Sequence, residues 1–174
     1  MGKKKTIKMN LSVSSVENAI KQIEEYKQSL IIKTRQIIEE LGKIGIQTID
    51  QRMANVQGDS NPNHYAFVKV NSFGAFSRAT IILQGQDIAF IEFGSGIHYN
   101  GAAGSSPHPK GQQMGYTIGS YGKGQGKNDS WVYFNEEHGR YETSYGTKAA
   151  MPMYNAEVEI MKGVKSVAKK VFGG

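Results

Sequence analysis

The sequence predicts an α+β fold: an antiparallel sheet packed against a long N-terminal helical region and a C-terminal helix, with a long Gly- and aromatic-rich insert that carries a β-hairpin. Three observations predict it. Apolar residues recur at helical spacing from Ile20 to Ile49 and again from Met153 to Val171. Between these stretches, β-branched and aromatic runs follow one another with no helix between them, which favours antiparallel pairing. Residues 97–147 then interrupt the pattern with glycine, proline and aromatic residues.

Residues 1–12 read as a basic N-terminal arm or strand. Lys3, Lys4, Lys5 and Lys8 meet no acid among the first ten residues, and residues 6–11 alternate well enough for a short strand. Ser14 to Glu17 has the form of a capping box, with Ser14 as N-cap. The first helical stripe is Ile20, Ile23, Leu30, Ile37, Leu41 and Ile44, widened by Ile31, Ile38 and Ile49. Ile37 and Leu41 lie at its centre and are expected in the core. The region up to Val56 is long for one helix, so a break is expected near Lys27–Ser29 and softness at Gly42 and Gly45. Residues 57–63 (QGDSNPN) are a stop signal.

Strands are expected at residues 64–70, 79–83 and 88–93, with a turn at 84–87; the apolar IAFIEF run at 88–93 is the strongest of the three. In the insert, residues 130–135 and 140–145 flank Glu136-Glu137-His138-Gly139, a hairpin with an aromatic face. Pro152 suits the first turn of the last helix. Its stripe is Met153, Ala156, Ile160, Val164, Val167 and Val171, with Glu157 and Glu159 early and lysines late, as the helix dipole favours.

The 174 residues fit one domain spanning 1–174, large enough to bury a core without staples. Cysteine is absent, which excludes disulfides, thiolate metal sites and cysteine catalysis. The net charge of +6 raises the odds of an acidic partner, although the two basic ends also read as solvated tails. No apolar run approaches the roughly 20 residues that span a bilayer, and the start carries no signal-peptide stretch. A protein made and kept in a cytoplasm, with no membrane contact, is the expectation.

No catalytic constellation assembles. His64, His98, His108 and His138 show no metal-ligand spacing, and His108, between Pro107 and Pro109, suits a rigid loop. Ser95 lacks the first glycine of a nucleophile elbow, because Phe93 stands there. Gly122–Gly126 lacks the Gly-Lys-Ser/Thr ending of a phosphate loop. Glu92, inside an apolar run, is expected on a solvent face or paired with a lysine. Glu136 and Glu137 read as turn residues. No enzyme activity, cofactor or metal is expected.

Two segments are more specific. Residues 90–96 read FIEFGSG and residues 146–156 read GTKAAMPMYNA. A strand ending in E-F-G-Ser/Thr-G, a variable insert, and A-x-P-Phe/Met-Tyr/Leu-x-A opening the last helix resemble the head–tail joining proteins of tailed bacteriophages. These are also called tail-completion or neck proteins, and minor capsid or minor tail components. The likeness covers roughly residues 15–172, and the segment 105–109 with the Trp131 hairpin resembles the longer insert of members from Gram-positive hosts.

The resemblance implies a non-enzymatic virion protein of the neck, assembled in the host cytoplasm. It implies a ring of identical subunits around the DNA channel, a hexamer rather than a dodecamer. It further implies contacts with adaptor or stopper, tail terminator and tail tube proteins, and proximity to duplex DNA. The expected subunit or partner interface comprises Phe93, Gly94, Ser95, Gly96, Pro152, Met153 and Tyr154 of the two motifs. It adds the insert aromatics Tyr116, Tyr121, Trp131, Tyr133 and Tyr141, which could instead form a local mini-core. Lys3, Lys4, Lys5, Lys123 and Lys127 are candidates to face DNA. The alternative is a stand-alone basic nucleic-acid-binding protein, on charge alone.

Overall fold

The computed structural model describes residues 6–95, 106–111, 113–114, 130–136 and 138–173. The elements are α1 (Val13–Met53), β1 (Tyr65–Phe73), β2 (Phe76–Gln84), α2 (Ile88–Phe93), β3 (Trp131–Asn135), β4 (Arg140–Ser144) and α3 (Pro152–Phe172). The class is α+β, with long helices at both ends and antiparallel hairpins between them.

α1 is one unbroken helix of 41 residues, about 60 Å long at 1.5 Å per residue. The break expected near Lys27–Ser29 does not occur. Nothing there removes a backbone hydrogen bond, since neither proline nor glycine is present, and Ser29 Oγ donates to Tyr26 O at 2.7 Å. The gap in the apolar stripe changes the helix surface and leaves its backbone intact. The N-cap is Ser12, whose hydroxyl accepts from Ser15 N at 3.3 Å, so the expected Ser14–Glu17 box falls inside the first turn. Residues 6–10 form no strand.

Gly42 and Gly45 are places of closest approach rather than soft spots. A Cβ on Gly45 would lie 2.4 Å from Ile81 Cδ1 and 2.9 Å from Ile160 Cδ1, and one on Gly42 would lie 2.9 Å from Val68 Cγ2. Glycine costs a helix about 1 kcal/mol relative to alanine. Here that loss lets α1 touch the β1–β2 hairpin and α3 together.

β1 and β2 pair in register from Tyr65↔Gln84 to Phe73↔Phe76. The strands are longer than the sequence suggests, because the chain reverses in only two residues. Gly74, at φ +58°, takes the left-handed first position of that turn. Ala66, Ile81 and Leu83 pack toward the core, and Val68 meets Gly42 of α1.

The run expected to be the strongest strand, residues 88–93, is the short helix α2. Six residues, five of them apolar, carry too little periodicity to separate strand from helix. Three consecutive side chains, Ile91, Glu92 and Phe93, are buried, which requires walls on several sides rather than one face of a sheet. The sheet expected from residues 64–93 is consequently the two-stranded β1–β2 pair, and the hairpin expected in the insert is a second two-stranded sheet, β3–β4.

Ile49, Met53, Ile91 and Ala156 form the core, with Val56, Ala66, Ile81, Leu83, Ile88, Ala150 and Met153 packed around them. Burying one such side chain fully contributes about 1.5–3 kcal/mol. Ile37 and Leu41 are half-buried, not core, because the core lies two to three turns nearer the C-terminal end of α1. α3 runs antiparallel to α1. Arg52 donates to Asn155 at 3.0 Å, Lys170 meets Glu40 at 3.3 Å, and Lys33 lies 5.6 Å above the Phe172 ring. In the α3 stripe Ala156 and Val167 are buried, whereas Val164 is 46% exposed. Among the described residues no helix is long and apolar enough to cross a membrane.

Candidate assembly surfaces and the joint beneath them

α3 begins at Pro152, behind Met151 in the left-handed region at φ +52°, and its first turn carries no acid. Glu157 and Glu159 lie beyond that turn, so the acidic complement expected from them must come from elsewhere. Glu92 of α2 supplies it. Its Oε2 accepts from Met153 N at 2.8 Å and its Oε1 from Tyr154 N at 2.9 Å. Two helix N–H groups left without intrahelical partners are thereby satisfied by one acidic side chain.

His108 completes the joint. Its Nε2 lies 3.0 Å from Glu92 Oε1, and its Nδ1 accepts from Lys110 N at 3.0 Å, which assigns the ring proton to Nε2. The ring stands 4.6 Å from that of Phe93 and 5.3 Å from that of Tyr154. Both expectations for this pair are corrected. Glu92 faces neither solvent nor a lysine, being only 6% exposed, and His108 is a buried partner rather than a loop residue alone. Burial without these donors would be costly for a carboxylate, and the chain brings three donors to it.

The two motif segments meet at this joint. Ala150 N donates to Ile91 O at 2.9 Å, and Ser95 and Thr147 exchange backbone hydrogen bonds at 2.9 and 3.1 Å. Thr147 is buried; its hydroxyl donates to Ser60 Oγ at 2.6 Å and accepts from Ser60 N at 3.0 Å. Asp59 Oδ2 accepts from Ser144 Oγ and from the amides of Tyr145 and Gly146. The return from β4 into α3 is therefore tied to the loop after α1.

This arrangement ties α2 and the 106–111 segment to the start of α3. Both oxygens of Glu92 are occupied and shielded. Among the described residues no three His, Asp or Glu side chains gather as a metal site. Hydrogen bonding of this kind was not readable beforehand. The only sequence signal was an acid in an apolar run and a later helix whose first turn lacks one.

Two regions stand outside the core. The first is the N-terminal half of α1, where Val13, Ile20, Ile23, Tyr26 and Ile32 are 48–76% exposed and Ala19 alone is buried. The second is the β3–β4 hairpin. Val132, Phe134 and Tyr141 are 64, 50 and 75% exposed, with Phe134 and Tyr141 edge-to-face at 5.3 Å. On its other face Glu142 accepts from Asn135 at 2.9 Å, His138 at 2.7 Å and Arg140 at 3.0 Å. These three donors, Asn135 foremost, hold the Glu142 carboxyl down to about 2. A cavity of about 630 Å³ lies between this face and the body, lined by Asp59, Asp87, Phe90, Ser95, Tyr133 and Asn135 among others.

The expected interface residues divide accordingly. Phe93 and Pro152 are buried inside the subunit, Met153 and Tyr154 are half-buried at the joint, and Gly94 makes the sharp reversal at φ +82°. Ser95 is half-buried and committed to Thr147. Tyr133 and Tyr141 are exposed, and the backbone of Trp131 pairs with Ser144. Gly96, Tyr116, Tyr121, Lys3, Lys4, Lys5, Lys123 and Lys127 lie outside the described residues. No protein-family model, curated protein or solved structure matches this chain.

Proposed function

We propose that the chain is a structural subunit of the neck of a tailed bacteriophage, joining or completing the tail as part of a ring around the DNA channel. The observation that carries this reading is the meeting of FIEFGSG and GTKAAMPMYNA, the two segments that resemble the head–tail joining proteins, in one buried joint. A shared structural device explains why such segments would recur together in a family with no catalytic work to do. Surfaces suited to assembly support it further. Large apolar side chains stand exposed on the long helix and on the hairpin, well apart from each other and from the core. Closed rings of identical subunits use such surfaces on both flanks.

The test is electron microscopy of phage particles made without this protein. Free heads beside free tails are the expected outcome. Intact, infectious particles would sink the reading.

A further inference from the structure

The β1–β2 hairpin has one face on α1 and one face open. The open face carries Tyr65, Phe67, Lys69, Asn71 and Phe73 of β1 and Phe76, Arg78, Thr80, Ile82 and Gln84 of β2, because strand side chains alternate. We infer that this face meets the phosphate backbone of duplex DNA through Lys69 and Arg78, an inference that rests on the neck-ring reading for the identity of the acid it faces.

Charge carries the inference. The two strands contain no aspartate or glutamate. Lys69 stands opposite Thr80 and Arg78 opposite Asn71, so the two cations are diagonal neighbours on one face, and both are exposed. Like charges so placed repel unless an anion lies between or above them. Arg78 is also unlike the other arginines. Arg35 binds Glu39, Arg52 binds Asn155 and Arg140 binds Glu142, whereas Arg78 has no side-chain partner among the described residues.

A duplex presents about one negative charge per 1.7 Å of its axis, so it supplies anions at the spacing such a face needs. An arginine fork and a lysine point charge both suit phosphate oxygens. Between the two cations stand Asn71 and Thr80, short polar groups able to bond phosphate and sugar without reading bases, and Phe67 and Phe76 flank the pair on the same face. The contact is therefore independent of DNA sequence, as passage of a genome through a ring requires.

The test is binding of the purified full chain to a short random-sequence duplex over a salt series. Lys69→Ala/Arg78→Ala should melt as the parent does, keep its oligomeric state, and bind at least about tenfold more weakly at low salt. Its slope of log K against log salt should be shallower by about 2 per engaged subunit. Lys162→Ala/Lys165→Ala, on α3, should leave that slope unchanged. The inference is overturned if the parent does not bind duplex, if the slope is the same in the β1–β2 variant, or if the α3 variant loses as much. It is overturned as well if binding favours single strands and depends on Phe73 and Phe76, since stacking would then carry it. The neck reading fails on a different result, intact particles without the protein, so the two failures are separable.

Discussion

α1 is one helix with two different lives. From about Lys33 to Met53 it lies between α3 and the β1–β2 hairpin, and Gly42, Gly45, Ile49 and Met53 are buried. From Val13 to Ile32 the same kind of apolar spacing continues for about 30 Å, but α3 has ended opposite Lys33, and Val13, Ile20 and Ile23 face outward while Ala19 is the one buried residue of this stretch. Amphipathic spacing makes a helix able to pack. Whether it packs depends on how far its partner reaches.

The most severe way to erase the difference is to release α3. Glu92→Ala leaves two helix amides and the His108 Nε2–H without their acceptor in a buried site. We expect a loss of about 3–5 kcal/mol in urea unfolding, because breaking a buried charged network strands its remaining partners. A loss below about 1 kcal/mol would mean that water replaces the carboxylate and that the joint does not hold α3.

Matched truncations in the two halves come next. Ile49→Ala, at a fully buried position, should cost about 2–5 kcal/mol. Ile20→Ala, 52% exposed, should change stability by less than about 0.5 kcal/mol in the isolated subunit. Equal costs would show that the outer half is packed in solution. Gly45→Ala approaches the comparison from the opposite side, by overfilling. Ile81 and Ile160 must retreat from the new methyl, and we expect a loss of about 1–3 kcal/mol, measured by the same unfolding. An unchanged midpoint would show slack in the α1–α3–hairpin contact.

The mildest effect belongs to β3–β4, the other part standing off the core. Glu142 is held down to about 2 by Asn135, His138 and Arg140, against an ordinary value of 4.5. Its folded value is depressed, so its contribution is complete above about 4.5 and disappears as pH falls toward 2. Trp131 is the single tryptophan and opens β3, so its fluorescence should report hairpin loosening across that window before the body unfolds. Glu142→Gln should remove the pH dependence. A transition that survives this change would belong to another carboxylate.

Much of this architecture is legible in the residues. α3 starts at Pro152, the β3–β4 hairpin turns at the Glu136–Gly139 stretch, and Gly94 ends its element in a positive φ. Long periodic segments and turn residues report themselves because their signal is local. Less of the candidate assembly surface can be read that way. Tyr141 does face outward and Tyr133 is part-exposed over the cavity, but Phe93 and Pro152, from the same resemblance, lie inside, and the more exposed half of α1 looks in sequence like its more buried half.

What the sequence by itself determined is therefore the class, the two long helices, two strands ahead of the insert, the hairpin within it and the lack of cysteine chemistry. Periodicity, capping residues and composition act within a few residues of one another, so they need no tertiary context. Only the tertiary structure decided that residues 88–93 coil rather than extend, that Gly42 and Gly45 are contacts, and that Glu92 caps a helix 60 residues further on beside His108. A six-residue apolar run has no period long enough to choose its own form. A buried carboxylate is stable only beside donors that distant segments bring to it, and no local pattern records which segments those will be.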